Sequence, residues 1–147
     1  MSPDHAARVL KTAAVLTLLF GLTLILAPHV ALLRPIGRLF VDLAFLTSDQ
    51  APDLGPPVAH LMFAISGGLM VGLAVLIWQV TALIHPRDPV LARRLLIPAL
   101  LGWYVTDCFG SALSGAVFNL VMNSAFLALF LVPLLLARPA ARPQVSP

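Results

Sequence analysis

A single acidic residue, Asp107, sits inside the long apolar stretches of this chain. Around it, Trp103, Asp107, Ser111 and Ser114 follow at spacings of four, four and three, which places them on one face of a helix. Asn119 and Asn123 are one turn apart and can face that stripe across a turn at Gly115. Carboxyl, hydroxyl and carboxamide groups at membrane depth have two uses. They can tie helices together, at about 0.6–2 kcal/mol per contact. They can also line a pocket, because an acid among acyl chains is costly and must face protein or water. On the first reading Asp107 simply bonds Asn123 or a nearby hydroxyl. On the second it is a proton-responsive group in a pocket. Ser66, from an earlier apolar stretch, reaches the same depth, as does Thr23. The expected intramembrane cluster is therefore Ser66, Asp107, Ser111, Asn119 and Asn123.

His29 and His60 offer a second chemistry. Both fall at the same end of two apolar stretches that could be neighbours. Two imidazoles can ligate haem iron or a divalent metal. The plainer reading is a pair of partly wet interfacial histidines, since no ligand motif accompanies them. His85 lies at the opposite end and His5 near the start, so neither can join them. Cys108 is the only cysteine, which excludes an intrachain disulfide and any CxxC redox pair. One residue round from Asp107, it is expected to point away from the polar stripe as a small hydrophobe. Walker, HExxH, GxSxG and dinucleotide-binding signatures are all absent from the sequence. No catalytic residue is assigned, and an enzyme is the lesser expectation.

The elements that position these residues follow from composition. The chain is 60% hydrophobic and only 10% charged, with mean hydropathy +0.99. A soluble surface needs about a quarter of its residues charged, so lipid must serve as part of the solvent here. Apolar runs over 12–33, 58–84, 95–115 and 118–137 are each long enough to cross roughly 30 Å of hydrocarbon as a helix. The first is long for a signal peptide and lacks a clean small-x-small cleavage pattern, so it reads as a span. Pro28 bends or ends it. Residues 1–11 form a short polar start and 138–147 a proline-rich tail. In the segment 34–57, Pro35 can open a helix. Ile36, Leu39, Phe40, Leu43 and Leu46 then make an apolar stripe, and Ser48 to Pro57 a loop. That stripe reads as an amphipathic helix lying in the interface. Asp88 and Pro89 read as cap and first residue of the third span. Gly68 and Gly72 form GxxxG on the second span, a close-packing motif in lipid, and the small residues Ser111–Gly115 offer another contact. These contacts could be made within the bundle, which is the default, or between copies of the chain.

Orientation follows from the basic residues. Arg8, Lys11, Arg87, Arg93, Arg94, Arg138 and Arg142 fall on one side, against Arg34 and Arg38 with Asp42, Asp49 and Asp53 on the other. The positive-inside rule puts both termini in the cytoplasm and 34–57 in the periplasm of a Gram-negative host. A preponderance of arginine, alanine, leucine and proline fits a GC-rich bacterial genome. The net charge of +3 is spread over helix ends, which suits lipid headgroups and not nucleic acid.

Two stretches carry a resemblance. ISGGLMVGLAVLIW (residues 65–78) and GWYVTDCFGSALSGAVFNLVMNSAFLALFLVPLLL (residues 102–136) together resemble a group of small uncharacterised bacterial membrane proteins with four spans. The shared pattern is an SGG-x-x-x-G second helix and a W-x-x-D-x-x-GS-x-x-x-G-x-x-x-N-x-x-x-N hairpin. The resemblance makes Trp103, Asp107, Gly110, Ser111, Gly115, Asn119 and Asn123 pattern residues and assigns them no role. In architecture alone the layout is similar to the broad DoxX-like class. The expectation is thus an all-α polytopic protein of the bacterial inner membrane, a four-helix bundle with one interfacial helix. Its expected role is that of an accessory subunit or a binder of a lipid or small ligand. It is expected to need no cofactor unless His29 and His60 take one. Its expected partners are the bilayer and either another membrane protein or a second copy.

Overall fold

The computed structural model describes residues 1–46 and 57–137; the expected loop at 48–56 and the tail at 138–147 lie outside them. Five helices account for nearly all of the described chain, and none of the described residues forms a strand. They are α1 (Pro3–Leu26), α2 (Arg34–Phe45), α3 (Pro57–Gln79), α4 (Pro89–Leu113) and α5 (Val117–Leu136). Four of them, α1, α3 with its continuation, α4 and α5, are long and apolar enough to cross a membrane. Their outward faces carry Leu16, Val75, Leu83, Val105, Phe109, Leu113 and Val121, all largely exposed. A water-soluble monomer does not present apolar surface so continuously.

Helix α1 begins nine residues before the expected span. Ser2 caps it by accepting from the His5 N–H at 3.3 Å, with Pro3 at the first helical position. The polar start is therefore the first turns of the helix. It ends at Leu26, short of residue 33, and turns at Ala27–His29 carry the chain onward. At the far side of α3 the chain passes into one π turn, Val80–Ile84, where the His85 N–H donates to the Val80 carbonyl at 3.0 Å. Asp88 then caps α4, accepting from the Leu91 N–H at 2.8 Å, with Pro89 first in the helix. Gly115, at φ 73°, makes the left-handed turn between α4 and α5. No atom lies within 4 Å of where its Cβ would be, so its role is that turn and not helix packing.

Helix α1 packs along α3, α4 packs along α5, and α1 and α5 join the two pairs. The closest approach is Gly21 against Gly67. A Cβ on Gly21 would lie 2.7 Å from the Gly67 carbonyl oxygen, and one on Gly67 would meet the Gly21 carbonyl oxygen and lie 2.6 Å from Ile25 Cγ1. Gly68 and Gly72 have nothing within 4 Å of a Cβ and face outward, so the expected GxxxG contact within the bundle is corrected by one residue to Gly67. In helix α2 the buried residues are Gly37, Val41 and Ala44; the larger Ile36, Leu39 and Leu43 point away from the bundle. Small residues let α2 lie close to α5 and α1, and the bulky stripe is left for lipid.

The dense core lies in one half of the bundle. Leu10, Ala14, Ile77, Leu96, Leu100, Phe130 and Leu134 form it, all near the end where α1 begins and α5 finishes. The first residue and the end of α5 meet there, the Met1 ammonium donating to the Leu136 carbonyl at 3.1 Å. His85, only 3% exposed, closes this end. Burial, and then the Arg93 guanidinium beside it, lower its pKa, against a smaller opposing pull from Asp4. A folded-state pKa below the unfolded value of about 6.5 means that the unfolded chain binds the proton first as pH falls. Stability is therefore full above that pH and is lost below it. The unfolding temperature in detergent should drop between about pH 7.5 and 5.5, and His85→Gln should flatten that drop.

Candidate intramembrane binding site

The other half of the bundle holds a cavity of about 770 Å³. It exists because α4 meets the continuation of α3 at the π turn, while the body of α3 and α4 make little direct contact. The two helices diverge from the packed end, and the space between them is walled by α1 and α5. Apolar residues make most of the wall: Leu24 from α1, Leu69 and Leu73 from α3, and Phe126 from α5. Phe20 packs on Phe126 with ring centroids 5.7 Å apart and on Phe40 of α2 at 5.3 Å, so α2 helps close the cavity at its outer end. Only the fold reveals this aromatic trio.

Polar residues from α3, α4 and α5 line the same cavity. Asp107, Asn119, Asn123 and Ser66 all border the cavity, with Trp103 and Thr106 beside them. The hydrogen bonds run as a relay across the α4–α5 hairpin. Asn119 Nδ2 donates to Ser111 Oγ at 2.8 Å, and the Ser111 hydroxyl donates to Asp107 Oδ1 at 3.4 Å. Ser111 is buried and uses its hydroxyl both ways. Among the described residues this long bond is the single protein hydrogen bond to the Asp107 carboxyl. A carboxyl with so few partners on an apolar wall is primed for a further polar partner.

Of the expected partners of Asp107, the nearby hydroxyl of Ser111 is the one that bonds it and Asn123 is not; Asn123 Nδ2 lies 3.8 Å from Cys108 Sγ, in range for a weak bond to sulfur. Cys108 accordingly faces α5 and does not point away from the polar wall. One step of about 100° from Asp107 still leaves it toward the partner helix. Thr23 does not border the cavity, since its hydroxyl bonds back to the Leu19 carbonyl at 2.9 Å. Ser66 is exposed and shares the cavity with Asp107, but makes no hydrogen bond to it among the described residues.

At the outer end of the α1–α3 pair, His29 and His60 bring their rings together, with centroids 5.1 Å apart and planes at 72°. No third histidine, cysteine or acid among the described residues joins them as a ligand group.

No family model, curated protein or solved structure matches the chain. What can be said of its work rests on this geometry.

Proposed function

We propose that the chain is a non-catalytic, multi-pass protein of the bacterial inner membrane that binds a small amphiphile or lipid in the cavity between α3 and α4. The single observation that carries this is the Asn119–Ser111–Asp107 relay on the wall of a cavity that is otherwise apolar. A volume of about 770 Å³ suits one drug-sized ligand. Such a ligand lays its apolar body on Leu24, Leu69, Leu73 and Phe126 and its polar end on Asp107 and Asn123. Entry is sideways, between α3 and α4, from the bilayer itself. The termini lie on the cytoplasmic side, in keeping with the basic residues gathered at that end. Asp107 is the only titratable side chain on the wall among the described residues, which favours binding over acid–base catalysis by a pair of groups.

The test is mass analysis of an organic extract of protein purified in mild detergent. One amphiphile should be retained in a fixed ratio to the chain, and Ala125→Trp, which fills the cavity, should lose it. An extract that mirrors the bulk membrane lipids, unchanged by Ala125→Trp, sinks the proposal. A second protein retained in fixed ratio, with no such amphiphile, supports the accessory-subunit reading instead. A proton-responsive transporter or membrane enzyme is the second reading, favoured by the sparsely bonded Asp107 carboxyl on the cavity wall.

A further inference from the structure

We infer that His29 and His60 form a two-histidine site for a late first-row divalent cation, of the Zn²⁺, Ni²⁺ or Cu²⁺ type, at the outer end of the α1–α3 pair. The site is separate from the cavity, since neither histidine borders it. Three observations support it.

The first is register. Along the antiparallel α1–α3 pair, Lys11 lies over the Trp78 ring at 5.5 Å, Gly21 touches Gly67, and His29 meets His60. Ten residues on α1 against eleven on α3, then eight against seven, separate these pairs. The glycine contact allows no slack, because backbone meets backbone there. The helix pair thus brings the backbone of His60 opposite the turn that carries His29.

The second is rigidity. His29 lies just beyond α1 in a hydrogen-bonded turn, its N–H donating to the Leu26 carbonyl at 3.0 Å, between a buried Pro28 and a Val30 that also bonds Leu26 at 2.9 Å. His60 sits in the first turn of α3. Both imidazoles are therefore carried on ordered backbone from different elements.

The third is spacing. An imidazole nitrogen bonds such an ion at about 2.0–2.1 Å, and two ligands at a tetrahedral angle then hold their ring centroids about 5 Å apart. The observed 5.1 Å matches that spacing, so turning the rings to aim one nitrogen each at a shared ion needs no movement of the helices. Opposite axial ligands of a haem would need about 6 Å or more on the same bond length, so the spacing favours a small ion on one side of both rings. Water completes the coordination, because two side chains fill only half of a tetrahedral shell. Imidazole with water and no thiolate suits zinc, nickel and copper, with copper held most tightly.

The experiment uses full-length protein purified through a tag that contains no histidine. Titration with Zn²⁺ in detergent should show one saturable site per chain, and binding should raise the unfolding temperature by pinning α1 to α3. His29→Ala and His60→Ala should each weaken that site at least about tenfold and remove the thermal shift, while His5→Ala leaves both unchanged. With Cu²⁺, the electron paramagnetic spectrum should show two equatorial nitrogen couplings, and one in either variant. Absence of saturable binding, binding that survives both single variants, or one ion per two chains would overturn the assignment. Neither histidine is buried, so both variants should fold, and the unshifted apo unfolding temperature checks that they do. The amphiphile extract is expected to be the same in both variants, so this site and the cavity can fail independently.

Discussion

Gly67→Val should dismantle the α1–α3 pair, whereas the same change one residue later, Gly68→Val, should leave the bundle intact. A side chain at Gly67 would run into the Gly21 carbonyl oxygen and come within 3.1 Å of the Ile25 amide nitrogen. Both are backbone atoms on the facing helix, so no rotamer change can relieve the clash. Overpacking against movable side chains costs about 1–3 kcal/mol; against backbone the helices must separate. In lipid that separation has no hydrophobic rescue, because close van der Waals packing is what holds such helices together. Gly68 has open space where a Cβ would go, and so does Gly72. A valine at either faces outward and should change stability by no more than about 0.5 kcal/mol. Size-exclusion profiles and unfolding temperatures in mild detergent distinguish these outcomes. Equal damage at Gly67 and Gly68 would mean that α3 is rotated from the orientation described.

That adjacent pair of glycines also marks where sequence reading stops. The stretch Ser66–Gly72 is apolar or small on every side, so no polar face shows which way α3 turns. Spacing alone favours Gly68 and Gly72, and only the facing Gly21 selects Gly67. By contrast, the Asp88–Pro89 cap and the turn at Gly115 were legible because each depends on local chemistry: a side-chain acceptor before a proline, and a residue that tolerates positive φ. The polar stripe of α4 was legible because Asp107 and Ser111 repeat at helical spacing. The relay partner was harder. Asn119 and Asn123 both face α4, and which of them reaches Ser111 depends on the offset set by the Gly115 turn. The π turn at Val80–Ile84 has no sequence signature of its own. Yet it is where α3 continues into contact with α4, and so it sets the divergence that opens the cavity. For helix α2 the periodic stripe was legible, but the small residues that make its protein contact were not. In a membrane protein a bulky apolar face can turn to lipid while Gly37 and Ala44 make the protein contact.

Asp107→Asn should weaken retention of the bound amphiphile while leaving the fold unchanged. Asparagine keeps an oxygen where Asp107 Oδ1 accepts from Ser111, and a bond as long as 3.4 Å contributes little to stability. The relay from Asn119 into Ser111, at 2.8 Å, is untouched. What changes is the polar group offered to the cavity: a carboxyl oxygen becomes an amide nitrogen that can only donate. A ligand that donates to Asp107 then loses its acceptor, at a cost of about 1–3 kcal/mol, or roughly fivefold to a hundredfold in affinity. Asp107→Leu removes the acceptor altogether and should abolish retention. It should shift stability by no more than about 1 kcal/mol, because the bond lost is the long Ser111–Asp107 contact within α4, and even a bond between helices is worth little more than that in a membrane. The two variants separate the competing readings through their order. If Asp107 merely ties helices together, Asp107→Leu lowers the unfolding temperature and Asp107→Asn does nothing to either fold or bound ligand. If the carboxyl binds, both variants lose ligand while Asp107→Asn unfolds at the temperature of the native chain. If protonation of the carboxyl also drives a function, the pH dependence of that function disappears in Asp107→Asn, since an amide has no proton to exchange in this range.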